Sequence, residues 1–265
     1  MIPLRDIEPS RLADVRLLLT DIDDTVTTEG RLTAVAYGAM ERLADAGVRI
    51  VPITGRPAGW CDHIARMWPV AGVVGENGAF YFLYDRATKT MRQHFWATPA
   101  DVAANRRRLT ALSEKILKAV PGAALASDQP YRIADLAVDF CEDVPPLPES
   151  DVDRIVAMFK AEGAEAKVSS IHVNGWFGQY DKLSMTRVML EREFGLGIAR
   201  DGDAIVFSGD SPNDEPMFAA FPLSVGVANV KRLAHRIANK PKFVTEHESG
   251  AGFVELVEAL LAARR

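Results

Sequence analysis

The run Leu17-Leu18-Leu19-Thr20 stops abruptly at Asp21-Ile22-Asp23-Asp24, and this junction constrains the fold more than any other part of the chain. A stretch this short and this apolar, spanning 15–20 with its flank, suits a parallel strand buried on both faces. An acidic cluster directly behind it leaves the sheet at the strand's carboxyl end, where open α/β sheets bind ligands. The strand-then-helix rhythm continues. Residues 33–46 predict a helix with Ala36, Met40 and Leu43 on one stripe and Gly47 ending it. Residues 48–53 predict a second strand, a helix begins near Pro57, and Val73-Val74 forms a third strand. Strands separated by helices imply right-handed crossovers and a parallel sheet.

The same rhythm returns late. Helices are expected at 184–194, from 214 to 220 and at 252–263, with strands at 204–208, 223–227 and 242–245. The middle, 84–178, differs. It predicts a long helix at 101–119, a strand at 133–140, the Pro-rich linker Val144-Pro145-Pro146-Leu147-Pro148, a helix at 151–162 and short strands at 166–169 and 171–177. That order describes an α+β domain inserted into an α/β one, and 265 residues suit two modest domains at about 150 residues each.

Composition removes several function classes. With 48% hydrophobic and 25% charged residues the chain is globular rather than disordered, and a net charge of −5 with no sustained basic block disfavours nucleic acid. Arg106-Arg107-Arg108 fans out around a helix and reads as a solvated face. Cys61 and Cys141 make no disulfide framework or zinc knuckle, and the five histidines lack metal-ligand spacing. Apolar stretches fall short of the ~18 residues of a membrane span, and no signal peptide is visible. A reducing cytoplasm is the expected location, while oligomeric state stays open. In Gly195-Leu196-Gly197, Arg200 stands at the third glycine position and no strand leads in, which argues against a dinucleotide cofactor. His172 and Trp176 read first as packing residues of the inserted domain, as do Trp60 and Trp68 elsewhere.

The chemistry gathers at one predicted sheet edge. Asp21 and Asp23 follow the first strand, Thr54-Gly55-Arg56 the second, and Gly209-Asp210-Ser211-Pro212-Asn213-Asp214 the late strand. Carboxylates in that number repel unless some are protonated or a cation intervenes. Oxygen ligands without sulfur or imidazole point to Mg2+ held by Asp21, Asp210 and Asp214. Phosphoryl transfer uses each group. Asp21 can attack phosphorus, and Asp23 can protonate the leaving oxygen and later deprotonate water. Thr54 can hydrogen-bond phosphoryl oxygens, and Lys182 can neutralise them and hold the nucleophile.

These motifs resemble those of the haloacid dehalogenase-like (HAD) phosphohydrolases: Asp21-Ile22-Asp23-Asp24-Thr25, Ile53-Thr54-Gly55-Arg56, Lys182, and Gly209 through Asp214. The long interval from Thr54 to Lys182 matches a type-two (C2B) α+β cap, and Asn77-Gly78-Ala79 resembles the entry to it. The branch in question includes Cof-like, sucrose-phosphate, trehalose-phosphate and mannosyl-phosphoglycerate phosphatases. The resemblance implies a Rossmann-like core at 1–83 and 179–265 with the cap at 84–178. It implies the backbone carbonyl of Asp23 as a further metal ligand, and Thr54, Gly55, Arg56, Lys182 and Asn213 around the substrate phosphate. Asp24 stands where the family commonly has glycine, and Leu183 follows the lysine where glycine is usual. The implied activity is Mg2+-dependent hydrolysis of a small phosphorylated metabolite, a sugar phosphate first, through an aspartyl phosphate. The alternatives are a sugar phosphomutase using the same intermediate and a non-catalytic sugar-phosphate sensor; a dehalogenase would need neither Asp23 nor Asp210.

Overall fold

The computed structural model describes residues 1–264. In chain order the first part comprises β1 (Ile2–Pro3), α1 (Pro9–Ala13), β2 (Leu17–Thr20), α2 (Ala34–Asp45), β3 (Arg49–Pro52) and α3 (Ala58–Met67). An antiparallel group follows: β4 (Val73–Gly75), β5 (Phe80–Asp85) and β6 (Thr90–Phe95). Then come α4 (Pro99–Ala119), β7 (Ala124–Leu125), β8 (Asp135–Asp139), α5 (Glu149–Ala161), β9 (Glu165–Val168) and β10 (His172–Trp176). The chain closes with α6 (Lys182–Met189), α7 (Ile198–Asp201), β11 (Ile205–Gly209), α8 (Glu215–Ala220), β12 (Leu223–Gly226), β13 (Phe243–Val244) and α9 (Ser249–Ala262).

The main sheet runs β1-β13-β12-β11-β2-β3, with every neighbouring pair parallel. β2 lies between β11 and β3, which explains its unbroken apolar run: side chains alternate between two buried faces. Leu18 joins Ile50, Val206 and Val225 beneath α2 and α9, while Leu17 and Leu19 join Val51, Phe207, Met185 and Met217 on the other face. At about 1.5–3 kcal/mol for each fully buried side chain, these two cores fix the strand register. The α/β architecture expected from the sequence is thus the one observed.

A second sheet, β7-β8-β10-β9, is antiparallel and belongs wholly to the middle of the chain. Leu109, Leu112, Ile116, Ile155 and Phe159 of α4 and α5 pack on its Leu136, Val138 and Val173. Arg106, Arg107 and Arg108 are exposed, as their helical fan predicts. Trp176 is buried, its indole N–H donating to the Tyr180 carbonyl at 3.1 Å.

Three features depart from the sequence reading. The β5–β6 hairpin was not expected: Phe80 to Tyr84 is continuously apolar rather than alternating, and β6 is largely polar. It runs from Phe80 to Phe95, across the expected boundary at 84, and joins the main-sheet side through β4, which a bridge between Ile53 and Val74 links to the sheet. The two-residue strands β1 and β7 are too short to leave a pattern. The helix expected at 184–194 starts earlier, at Lys182, under a capping box of Asp181 and Ser184, and its end widens into a π turn over Leu190–Phe194. Among the described residues no helix is long and apolar enough to cross a membrane.

Candidate active site

The parallel register sets the ends of β2 and β11 side by side, Thr20 opposite Ser208. The Asp21 N–H donates to the Ser208 carbonyl at 2.8 Å, and the Ser208 hydroxyl donates to the Thr20 hydroxyl at 2.7 Å. Asp21 is therefore held rigidly as it emerges from the sheet, with 5% of its surface exposed. After β11 the chain turns through Pro212–Asp214 into α8, and Asp214 folds back so that its Oδ2 accepts from the N–H groups of Asp210 (3.0 Å) and Ser211 (3.2 Å). Gly209 makes room for this: a Cβ there would lie 2.4 Å from Asp214 Oδ2.

Lys182 arrives from α6. Its ammonium donates to Asp21 Oδ1 and Asp214 Oδ1, both at 2.7 Å, with 1% of the side chain exposed. Gly78, at φ +107°, lets the chain before β5 pass against the start of α6, because a Cβ would meet the Asp181 carbonyl oxygen at 2.1 Å. Asp210 accepts from Asn229 Nδ2 at 2.9 Å and from the Thr25 hydroxyl at 3.5 Å. Oxygens of Asp21, Asp210 and Asp214 all lie within 4.8 Å of one another.

One ammonium among three buried carboxylates leaves the cluster short of positive charge. Burial first, then Asp214 and Asp23, pushes Asp21 up to about 8 despite the opposing Lys182. Burial, with Asp21 and Asp214 beside it, likewise holds Asp210 well above the ordinary carboxylate range. Burial alone would favour neutral Lys182, but Asp21 and Asp214 outweigh it and keep the ammonium protonated. An all-oxygen donor set this compact and this electron-rich fits a hard divalent cation, which would favour the anionic forms of Asp21 and Asp210.

The other expected site residues take different partners. Asp23 turns to Arg56, whose Nε lies 3.0 Å from both carboxylate oxygens. Arg56 does not present a free guanidinium to the cluster. It also donates to Asp128 Oδ2 at 3.2 Å and Glu142 Oε1 at 2.6 Å, and stacks over Trp60 at 4.4 Å. The Thr54 hydroxyl accepts the Arg56 N–H at 3.0 Å, and the Gly55 carbonyl accepts from Arg132 at 2.7 Å. Asn213 donates to Asn77 Oδ1 at 3.3 Å and accepts from the Ser211 hydroxyl at 2.8 Å. Asp24 has φ +53°, a left-handed conformation that explains a glycine preference at this position. Its carbonyl accepts from Asn229 Nδ2 at 3.0 Å.

The structure thus gathers Asp21, Lys182, Asp210 and Asp214 at one point and places Asp23, Thr54, Gly55 and Arg56 along an adjoining wall. It also supplies residues that the sequence reading missed: Asn229 and Thr25 on Asp210, and Glu142, Asp128 and Arg132 around Arg56. Thr25 lay within the first motif and was available to it. Asn229 follows β12, the next strand of the sheet, and its distance from Asp210 in sequence hid the contact.

No family model matches the chain. It is similar to a phosphoglycolate phosphatase of Methanoculleus marisnigri, 28% identical over 255 residues that cover 92% of this chain and 96% of that protein. Among solved structures it is similar to the C-terminal domain of trehalose-6-phosphate phosphatase from C. albicans, with a TM-score of 0.71, 14% identity and 99% of each chain covered. It is also similar to a sugar phosphatase of HAD subclass IIB, with a TM-score of 0.59 and 16% identity, over 87% of this chain and 93% of that one. The fold is that of the HAD-like hydrolases, as the motif order anticipated.

Proposed function

We propose that this HAD-fold chain is a phosphatase that hydrolyses a small phosphorylated metabolite, a sugar phosphate first, through a phosphorylated Asp21. The observation that carries this reading is Asp21 itself: buried at the end of a central strand, bound to Lys182 and facing the oxygens of Asp210 and Asp214. Phosphatase relatives and sugar-phosphatase neighbours support it. The division into a core at 1–83 and 179–265 and an inserted cap at 84–178 belongs to the same proposal, with the β5–β6 hairpin as part of the joint. So do a cytoplasmic location and the absence of nucleic-acid partners.

Asp21 attacks phosphorus; a new Oδ–P bond forms as the bond to the leaving oxygen breaks, and Asp23 gives that oxygen its proton. Water then attacks the aspartyl phosphate, Asp23 takes the water's proton, and the P–O bond to Asp21 breaks to release inorganic phosphate. Lys182 orients the nucleophile and offsets charge on the phosphoryl oxygens, while Arg56 fixes the Asp23 carboxylate. Asp21, Asp210, Asp214 and the Asp23 carbonyl would hold Mg2+, which when bound screens the two anions that must meet. The Thr54 hydroxyl and the Gly55 and Asn213 polar groups would receive the remaining phosphoryl oxygens.

The test is phosphate release from a panel of phosphorylated metabolites with and without Mg2+. Release that requires Mg2+ and falls at least about a thousandfold in Asp21→Asn is the expected result. Transfer of phosphate between positions of a sugar, with none released, would instead identify a mutase. A folded protein that binds sugar phosphates but never turns them over would identify a sensor.

A further inference from the structure

If Asp23 serves the leaving oxygen, the space that Asp23 borders receives the rest of the substrate. That space is a cavity of about 240 Å³ between the main sheet's loops and the second layer. Its walls include Asp23, Asp24, Glu29, Arg56, Glu142 and Ile171. Four of the nine residues that line it are carboxylates. Arg56, the cation among them, is already held by Asp23, Asp128 and Glu142. Arg232, a second cation near Asp24, pairs with Glu248 at 2.5 Å.

Glu142 is placed there by design of its turn. At the last residue of β8, buried Asp139 accepts the N–H groups of Cys141 (2.9 Å), Glu142 (2.8 Å) and Asp143 (2.8 Å), which locks the backbone that carries the side chain. His172 lies opposite Asp139 in the sheet, and its Nε2 stands 2.9 Å from Glu142 Oε2. Glu142 keeps 24% of its side chain open, so acceptor capacity beyond these partners faces the cavity. A wall of hydrogen-bond acceptors with its one cation engaged receives hydroxyl groups well and a second anion badly.

We infer that Glu142 is a specificity-determining residue that selects hydroxyl-bearing, uncharged leaving groups and rejects leaving groups that carry a carboxylate. The inference rests on the phosphatase reading above. On this inference phosphoglycolate, the substrate in its relatives' names, is a poor substrate for this chain, because its carboxylate would meet Glu142 and Asp24.

Matched substrate pairs test it in the Mg2+-loaded full-length protein. 2-Hydroxyethyl phosphate and phosphoglycolate differ by a hydroxymethyl in place of a carboxylate, as do glycerol 3-phosphate and 3-phosphoglycerate. Wild type should favour the hydroxyl member of each pair in kcat/KM by on the order of a hundredfold. Glu142→Gln should narrow that ratio about tenfold, mainly through a lower KM for the carboxylate member, and Glu142→Lys should narrow it further or invert it. Glu142→Asp should retain the wild-type order. Preference of wild type for the carboxylate members would overturn the inference, as would a ratio unmoved in folded Glu142→Gln and Glu142→Lys proteins. Turnover of p-nitrophenyl phosphate by wild type separates the two levels: no release from any substrate defeats the phosphatase reading, whereas release without discrimination defeats only the role of Glu142.

Discussion

Among the described residues lie two buried charge clusters that are balanced in different ways. The first sets Asp21, Asp210 and Asp214 around the single ammonium of Lys182. The second links the two layers through Arg56 and Arg132. Arg132 is fully buried and meets Asp128 and Asp135, each at 3.0 Å, while Arg56 meets Asp23, Asp128 and Glu142. Backbone N–H groups of Ala58, Ile133, Ala134 and Asp135 supplement the guanidinium groups there by donating to Glu76, and the Asn174 side-chain amide donates to Asp135. Burial raises carboxylates in both clusters, Asp21 to about 8 and Glu76 to about 7. The difference is in what remedies it. The linking cluster has two guanidinium groups and several N–H donors, whereas the first has one ammonium among three carboxylates that could hold a metal ion. The guanidinium cluster thus spans the two layers, while the ammonium cluster stays at the end of the main sheet.

Removing the central cation of each cluster gives the sharpest test of that distinction. Arg132→Met should destabilise the protein by about 3–5 kcal/mol, because carboxylates are left buried without their partner. Urea unfolding should show this loss unchanged by Mg2+. Lys182→Met should lose a comparable amount without Mg2+ and recover part of it when the cation is added. Equal recovery in both variants would erase the distinction.

Adding a divalent cation to wild type should have the next largest effect. Binding to the folded state alone contributes about 2.7 kcal/mol at a hundredfold excess over Kd, read as a Tm several degrees higher. Asp210→Asn should abolish most of that rise, whereas Glu142→Gln should keep it. A rise that survives in Asp210→Asn would place the cation elsewhere.

The smallest expected effect is acid dependence in the linking cluster. Burial by itself would raise Glu142, but the His172 ring beside it and the hydrogen bonds from Arg56 prevail and bring it down to about 2 from the ordinary 4.5. A carboxylate depressed in the folded state contributes stability above its unfolded pKa, and that stability is lost as pH falls from 4.5 toward 2. Glu142→Gln should therefore flatten the stability curve in that window and leave it unaltered at neutral pH in slope. An unchanged acid limb would show that Glu142 is not held by these partners in solution.

The carboxylate cluster around Lys182 was more legible in the sequence than the linking cluster for a topological reason. Asp21 and the Asp210–Asp214 turn each follow a strand directly, so a correct reading of strands placed them at one sheet edge. Lys182 was found by motif order, although the capping box that starts α6 at that residue was not anticipated. The linking cluster offered no such route. Asp128, Arg132 and Glu142 sit in loops of the middle region, and nothing local relates them to Arg56. Arg56 itself was expected to face phosphate, yet three carboxylates from separate parts of the chain surround it. The hairpin Phe80–Asp85 with Thr90–Phe95 escaped because its first strand is apolar on both faces and its second is polar.

Strand burial, the order of the motifs and the length of the insertion are written in local patterns, because apolar periodicity and a residue's distance from a strand end depend on near neighbours alone. From these the sequence by itself determined an α/β sheet and the converging carboxylates, and led to the expectation of a cation. Pairing between distant charges depends on which loops the two layers bring within about 3 Å of each other, a distance at which hydrogen bonds form or fail. Only the tertiary structure decided that Arg56 is bound among carboxylates, that Asn229 holds Asp210, and that Glu142 stands at the wall beside Asp23.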